Sequence, residues 1–130
     1  MTLDQVNKIG IECEQFGDNE YKAPDGCTHE DLNSAIWFGI FGFCGCGDPD
    51  YQLEKIYQVL KILKQGEINR YAYKAIYDTN EYDIYLYLLD KHEFTEHGFS
   101  IGGSWLTEKG TALLYVLRHI LEHDVEDAEI

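Results

Sequence analysis

The chain has 130 residues, of which 24 are acidic and 10 basic, and 45% are hydrophobic and 14% aromatic. This aromatic content excludes a disordered acidic tail, because buried aromatic surface offsets the conformational entropy lost on folding, and the length suits one domain. The formal charge of −14 repels phosphate backbones and so disfavours nucleic acid as a direct ligand.

Acidic residues concentrate at the two ends of the chain. Residues 1–54 hold eleven acidic and two basic residues, and residues 79–130 hold eleven acidic and three basic residues. The middle of the chain, residues 55–78, holds two acidic and five basic residues. Such a field attracts basic surfaces of other proteins and speeds encounter with them, although excess charge also serves solubility alone. No leader pattern and no run of about 20 apolar residues is present, so we expect a cytoplasmic protein with reduced cysteines.

The first 27 residues predict a short helix followed by a loop. Thr2 can cap a helix with Gln5 three residues on. Apolar residues then recur at helical spacing, namely Leu3, Val6, Ile9, Cys13 and Phe16. Residues 9–13 also alternate as in a strand, so both structures stay open there. Residues 17–26 contain Pro-Asp-Gly turn chemistry and predict an irregular loop.

A strongly apolar helix is predicted to begin near residue 28. Thr28 and Asp31 imitate a capping pair, and one helical face follows. That face consists of Leu32, Ala35, Ile36, Ile40 and Phe43. Trp37, Phe38 and Phe41 make the opposite side apolar as well, which is typical of a central helix or of a contact surface.

Two further helices are predicted between residues 48 and 76. Asp48 and Pro49 form a helix start, since the carboxylate caps free amides and proline suits the first turn. The buried stripe of this helix is Leu53, Ile56, Tyr57, Leu60 and Leu63, with Gly66 as its stop. The next helix has an apolar face made of Ile68, Tyr71, Ala72, Ala75 and Ile76.

The last third of the chain predicts a helix, a β-hairpin and a second helix. Asn80 with Asp83 caps a helix whose face is Ile84, Tyr85, Leu88 and Leu89. Residues 94–106 hold glycines between two short runs that can pair as a hairpin. Thr107 caps the final helix, whose face is Leu113, Leu114, Leu117, Ile120 and Leu121. Residues 122–130 predict an acidic, frayed tail.

The segment from residue 84 to 121 resembles the end of a winged-helix domain. In MarR- and PadR-like regulators, a Leu-Thr-x-x-Gly sequence similar to residues 106–110 follows the wing. The resemblance implies a DNA-binding regulator, but the would-be recognition helix carries one cation, Lys91, and four acids, whereas a helix in the major groove needs cations near phosphates. The four acids are Glu81, Asp83, Asp90 and Glu93.

A second resemblance rests on three motifs, CGCGDP at 44–49, TEHG at 95–98 and GGSWLT at 102–107. In this order and separation they resemble a set of small, uncharacterised tailed-phage proteins. That family brings no catalytic residues. It implies a phage or prophage origin, and hence a small protein that binds and alters a host protein, including anti-defence factors.

Cysteine and histidine residues form a candidate zinc set. Cys27, His29, Cys44 and Cys46 together offer the ligands of a Cys3His site. One-residue spacings strain tetrahedral chelation, however, and free cysteines are often small buried hydrophobes, so we expect no metal and no other cofactor. A redox role for the 44–46 pair lacks the usual two-residue spacing, and no sequence motif indicates a catalytic nucleophile.

Aromatic side chains indicate where a partner protein would bind. Exposed tyrosine is enriched at interfaces because it brings large area at low entropic cost. The predicted partner-binding residues are Trp37, Phe38, Phe41, Tyr73, Tyr77, Tyr82 and Tyr87. The competing interpretation is that these tyrosines line helix boundaries and are half-buried.

These observations predict a single, mainly helical α+β domain with a C-terminal winged-helix-like β-hairpin. Residues 28–121 form the helical core, 1–27 an N-terminal segment and 122–130 the tail. The predicted function is non-enzymatic: a phage-encoded acidic factor that docks on a host protein with a basic surface and modulates it, as a defence inhibitor or nucleic-acid mimic. The alternatives are a winged-helix transcriptional regulator and a zinc-binding protein.

Overall fold

Helices alternate with two short antiparallel strand pairs in the computed structural model, which describes residues 2–14, 20–42, 47–64, 79–98 and 104–121. The elements are α1 (Leu3–Lys8), β1 (Tyr21–Lys22), β2 (Thr28–His29), α2 (Leu32–Ser34), a π-helix (Ala35–Ile40), α3 (Pro49–Lys64), α4 (Thr79–Lys91), β3 (Thr95–Glu96), β4 (Trp105–Leu106) and α5 (Glu108–Ile120). The prediction of a mainly helical α+β fold is confirmed, while the winged-helix arrangement stays a prediction.

Helix α1 begins as predicted and ends earlier than its apolar spacing indicated. The Gln5 amide donates to the Thr2 hydroxyl (3.2 Å), and the Thr2 amide donates to the Gln5 side chain (2.9 Å), which completes a capping box. Gly10 then adopts a φ of 101°, a left-handed conformation that ends the helix. Glu12 pairs with Lys22 in an isolated antiparallel bridge, so the strand-like alternation was the correct alternative there.

A hairpin replaces part of the loop that we predicted over residues 17–26. Strands β1 and β2 pair antiparallel, and the turn between them closes where the Gly26 amide donates to the Ala23 carbonyl (2.9 Å). Thr28 lies in β2, so its prediction as a helix cap was wrong. The cap is Asp31, whose carboxylate accepts from the Ser34 amide (2.7 Å). Residues 17–19 lie outside the described residues.

The apolar segment after Asp31 forms one turn of α-helix and then a π-helix. Its last bond joins the Phe41 amide to the Ile36 carbonyl five residues earlier (3.2 Å). The residues of the π-helix are buried apart from the half-buried Phe38. A Cβ on Gly39 would overlap the Ala23 side chain, which shows how closely the β1–β2 hairpin packs on this helix. Of the two predicted alternatives, a central helix and a contact surface, the structure shows a central helix.

Helix α3 follows the prediction from its first residue. The Asp48 carboxylate accepts from the Asp50 amide (3.1 Å), and Pro49 occupies the first turn. The buried residues are Leu53, Ile56, Tyr57, Val59, Leu60 and Ile62. Leu63, which was predicted in this stripe, is only half-buried, and Val59 and Ile62 are buried in addition because α3 packs against α4, α5, β4 and the π-helix. The predicted stop at Gly66 and the predicted helix over 68–76 lie outside the described residues.

The buried face of helix α4 is rotated about the helix axis relative to the predicted face. Its buried side chains are Tyr82, Tyr85, Leu86 and Leu89. Ile84, predicted as core, is 62% exposed. Both sets of residues have helical spacing, and the contact with α3, including a hydrogen bond from the Tyr85 hydroxyl to the Gln52 side chain, selects between them. Asn80 lies inside the helix and not at its cap.

The C-terminal hairpin and helix are confirmed. Strands β3 and β4 pair antiparallel, with Thr95 opposite Leu106 and Glu96 opposite Trp105. The Thr107 side chain caps α5, which packs against α1 and α3. Its residues Leu113, Leu114 and Leu117 are fully buried, in the same hydrophobic cluster as the buried faces of the other helices.

The start of α5 lies directly against the backbone of residue 94. A Cβ on Gly110 would overlap the Phe94 carbonyl oxygen and lie 2.9 Å from its carbonyl carbon. That oxygen also accepts a hydrogen bond from the Thr107 amide (3.2 Å). Because backbone hydrogen bonds hold both chain segments in place, moving either one to make room for an added methyl group costs free energy.

We expect Gly110→Ala to lower the free energy of unfolding by ~2 kcal/mol or more, because the overlap outweighs the better helix propensity of alanine. Gly98→Ala is the matched control, since its Cβ meets nothing within 4 Å, and it should stay within ~0.5 kcal/mol of the wild type. Urea unfolding followed by circular dichroism measures both. Equal stability of the two variants would contradict the close approach.

Candidate functional site

The predicted aromatic binding surface is divided between the core and the exterior. Trp37, Phe41 and Tyr82 are 4%, 5% and 2% exposed, so their prediction as accessible partner-binding residues was wrong. Phe41 packs against Trp37, Phe94 and His92, with ring centroids 6.1, 5.6 and 5.3 Å away. Such contacts favour aromatics inside a core.

The remaining predicted aromatics have different placements. Phe38 is half-buried against the core, and Tyr87 is 63% exposed on α4. Tyr73 and Tyr77 lie outside the described residues. Tyr87 is therefore the predicted residue that the structure places on the surface.

The candidate zinc ligands are placed only in part. Cys27 is exposed and His29 is half-buried, whereas Cys44 and Cys46 lie outside the described residues. Within the part of the chain that is described, no three His, Cys, Asp or Glu side chains form a group that could hold a metal ion. The zinc hypothesis stays a prediction.

An open cleft lies where the end of α4, the β3–β4 pair and the start of α5 meet. Its volume is about 870 Å³. Acidic side chains dominate its wall, and they are Asp90, Glu93, Glu96 and Glu108. Two lysines, Lys8 and Lys109, also line it. The exposed aromatic side chain of the cleft is Trp105, which is 48% exposed.

The chain enters this cleft through a Schellman motif at the end of α4. The Phe94 amide donates to the Leu89 carbonyl (3.0 Å), and the Glu93 amide donates to the Asp90 carbonyl (3.1 Å). Phe94 and Leu89 are both fully buried, as the motif's accompanying hydrophobic contact requires. The residue between them in the left-handed conformation is Glu93, with a φ of 66°.

Glycine is the usual residue at the position that Glu93 occupies. Among the described residues, Glu93 is the non-glycine residue with a positive φ, and a Cβ in the left-handed region costs about 1–2 kcal/mol. Local strain of this kind concentrates at functional sites. Glu93 also lines the wall of the cleft.

Thr107 ties the Schellman turn to helix α5. Its hydroxyl donates to the Glu93 carbonyl (2.8 Å) and accepts from the Gly110 amide (3.0 Å). One side chain thus caps α5 and holds the turn that carries Glu93. The wall of the cleft is therefore held in place both by the turn after α4 and by the start of α5.

Paired side chains modify the charge of the cleft. His97 Nδ1 lies 2.9 Å from the Asp90 carboxylate. Lys109 donates to the His92 carbonyl (3.0 Å) and its ammonium lies 4.6 Å from the centroid of the Phe94 ring. Lys109 keeps its positive charge in these contacts, and Lys8 is exposed in the same cleft, so the four carboxylates outnumber the two lysines by two.

The imidazole of His92 lies behind this wall. Burial lowers its pKa from the ordinary value, and the charges of Lys91 and Lys109 lower it further. The neutral ring is thereby favoured where it packs edge-on against Phe41. His92 is accordingly part of the support for the cleft.

Two additional features extend the cleft. A neighbouring depression of about 360 Å³ shares Lys8, Thr107 and Glu108 with it and reaches Tyr115 on α5. Tyr87 lies three residues before Asp90 on α4, a spacing that makes the two neighbours on the helix surface. The cleft and this depression therefore form one longer groove, and Tyr87 is exposed next to Asp90 on α4.

Trp105 was missed as a site residue in the sequence, and the exposure of Ile84, which does not line the cleft, was missed as well. Trp105 was assigned to a structural motif at the start of α5, and Ile84 to the core face of α4. The signal available for Trp105 is the alternation of side chains along a strand, since Trp105 is exposed and the neighbouring Leu106 is half-buried against the core.

Comparison of the chain with protein-family models, with curated proteins and with solved structures finds no match. In the described part of the chain, no helix combines the length and the apolar character needed to cross a membrane. The function is therefore inferred from the chemistry of the cleft.

We expect Glu93→Gly to raise the free energy of unfolding by about 1 kcal/mol, because glycine adopts the left-handed conformation without steric cost. Glu93→Ala keeps the Cβ and serves as the matched control that should not gain this stability. Thermal and urea unfolding measure both variants. A glycine variant no more stable than the alanine variant would show that the position carries no strain.

Proposed function

We propose that this protein is a non-enzymatic binding factor that docks on a basic surface of another protein through the cleft beside Trp105. The observation that carries the proposal is an exposed tryptophan in a cleft lined by four carboxylates, one of which stands at a strained backbone position. The resemblance to tailed-phage proteins makes the partner a protein of the bacterial host, with inhibition of a host defence as the biological role.

The arrangement has the composition of an interface centre. Large aromatic side chains dominate binding energy when a partner covers them, and charge around them steers the approach. Trp105 and Tyr87 supply exposed aromatic area, and the chain's formal charge of −14 supplies a long-range field. Such a surface favours a cationic partner over a neutral or anionic one.

A winged-helix regulator is the second candidate, because α4, the β3–β4 pair and α5 follow one another in the order of such a domain. The exposed face of α4 weakens it. Among its described residues, the large exposed hydrophobic side chains are Ile84 and Tyr87, and Lys91 is the exposed cation. A helix in the major groove would instead present cations to phosphates.

The proposal predicts that Trp105 determines partner capture. Tagged wild-type protein should retain a basic protein from bacterial lysate, identified by mass spectrometry, and Trp105→Ala should lose it. Once the partner is purified, calorimetry should give a cost of ~2 kcal/mol for Trp105→Ala, as for a central interface aromatic. Tyr51→Ala is the matched control, because Tyr51 is 54% exposed and does not line the cleft.

Two results would contradict the proposal. One is a partner that Trp105→Ala retains as well as the wild type does. The other is a complex with a short DNA duplex tighter than ~10 μM at physiological salt, which would favour the regulator, because specific DNA binding is normally far tighter than this limit.

A further inference from the structure

The outer face of the β3–β4 pair presents an indole and a carboxylate side by side. Trp105 and Glu96 are directly opposite one another in the antiparallel register, and both are exposed. Side chains at opposite positions lie on the same face with Cβ atoms about 5 Å apart. A group that stacks on the indole therefore meets the carboxylate as well.

Other aromatic rings of this region already have cations from the chain itself. The Lys109 ammonium lies 4.6 Å from the centroid of the Phe94 ring, and the Arg118 guanidinium lies 4.8 Å from that of Tyr115. Among the described residues, none places a cation over Trp105. Its ring is the aromatic surface of the groove that is open to an external cation.

Charge and shape select the class of that cation. The carboxylates of Asp90, Glu93 and Glu108 line the same cleft as the Trp105–Glu96 pair, and with Glu96 they outnumber the two lysines of the cleft by two. A planar guanidinium can stack on an indole and bind a carboxylate with two parallel hydrogen bonds, whereas an ammonium is a strongly hydrated point charge that does neither as well.

We propose that the cleft recognises arginine: the guanidinium of an arginine in an extended segment of the partner stacks on Trp105 and pairs with Glu96. The neighbouring depression that reaches Tyr115 continues the groove and gives room for the residues next to this arginine. This inference rests on the proposed protein-binding function and specifies the chemical group that the cleft binds.

Nuclear magnetic resonance of the indole N–H signals tests the inference on the intact chain. The protein has two tryptophans, of which Trp105 is half-exposed and Trp37 is buried, so Trp37 reports on folding while Trp105 reports on the cleft. The probes are three seven-residue peptides with uncharged flanking residues, and they differ at the central position, which is arginine, lysine or citrulline. Citrulline keeps the shape of arginine without its charge.

We expect the arginine peptide to shift the Trp105 signal, with a Kd about threefold lower than that of the lysine peptide and about tenfold lower than that of the citrulline peptide. Glu96→Gln should weaken binding of the arginine peptide about fivefold and reduce the preference over lysine. Glu30→Gln removes the same charge from an exposed position that does not line the cleft, and it should leave the Kd unchanged.

Equal Kd values for the three peptides, or an unchanged Kd in Glu96→Gln, would overturn the inference. If a partner is captured through Trp105 and the peptides do not differ, arginine recognition fails while the protein-binding function stands. If the arginine peptide binds selectively and no basic protein is captured, the protein-binding function fails while the chemistry of the cleft stands.

Discussion

The contact between the Phe94 carbonyl and the first turn of α5 is the constraint on which the rest of this structure depends. Gly110 allows the two backbones to touch, and the Thr107 side chain joins the turn after α4 to the amides of α5. Phe94 then reaches the ring of Phe41 at the end of the π-helix. One joint thus connects the central apolar segment, α4, the β3–β4 pair and α5, and the acidic cleft is the outer surface of that joint.

Much of the fold could be predicted because local signals and tertiary packing agree. Three helices begin at a capping side chain that lies close in sequence to the amides it caps, so the local sequence determines these helix starts. The capping residues are Thr2, Asp48 and Thr107. The predictions that failed required long-range information. The buried face of α4 was ambiguous between two helical stripes, and only its contact with α3 chooses Tyr82 over Ile84.

The cleft was harder to predict than the fold. Its wall combines residues from the end of α4, the strand pair and the start of α5, and the partner of Glu96 is set by a strand register that spacing alone does not give. The left-handed backbone at Glu93 is equally invisible in the sequence, since glutamate gives no sign of it. Tyr87 is exposed, as its position off the predicted apolar stripe indicated, whereas Tyr82 lies off that stripe as well and is buried.

Native-state hydrogen exchange tests the central joint most directly. The amides of Phe94, Thr107 and Gly110 donate to the Leu89 carbonyl, the Phe94 carbonyl and the Thr107 hydroxyl. If the joint holds the fold together, these amides should exchange only through global unfolding, with opening free energies within ~1 kcal/mol of the total stability. Exchange of these three amides through a low-energy local opening, while α3 and the rest of α5 stay protected, would contradict the account.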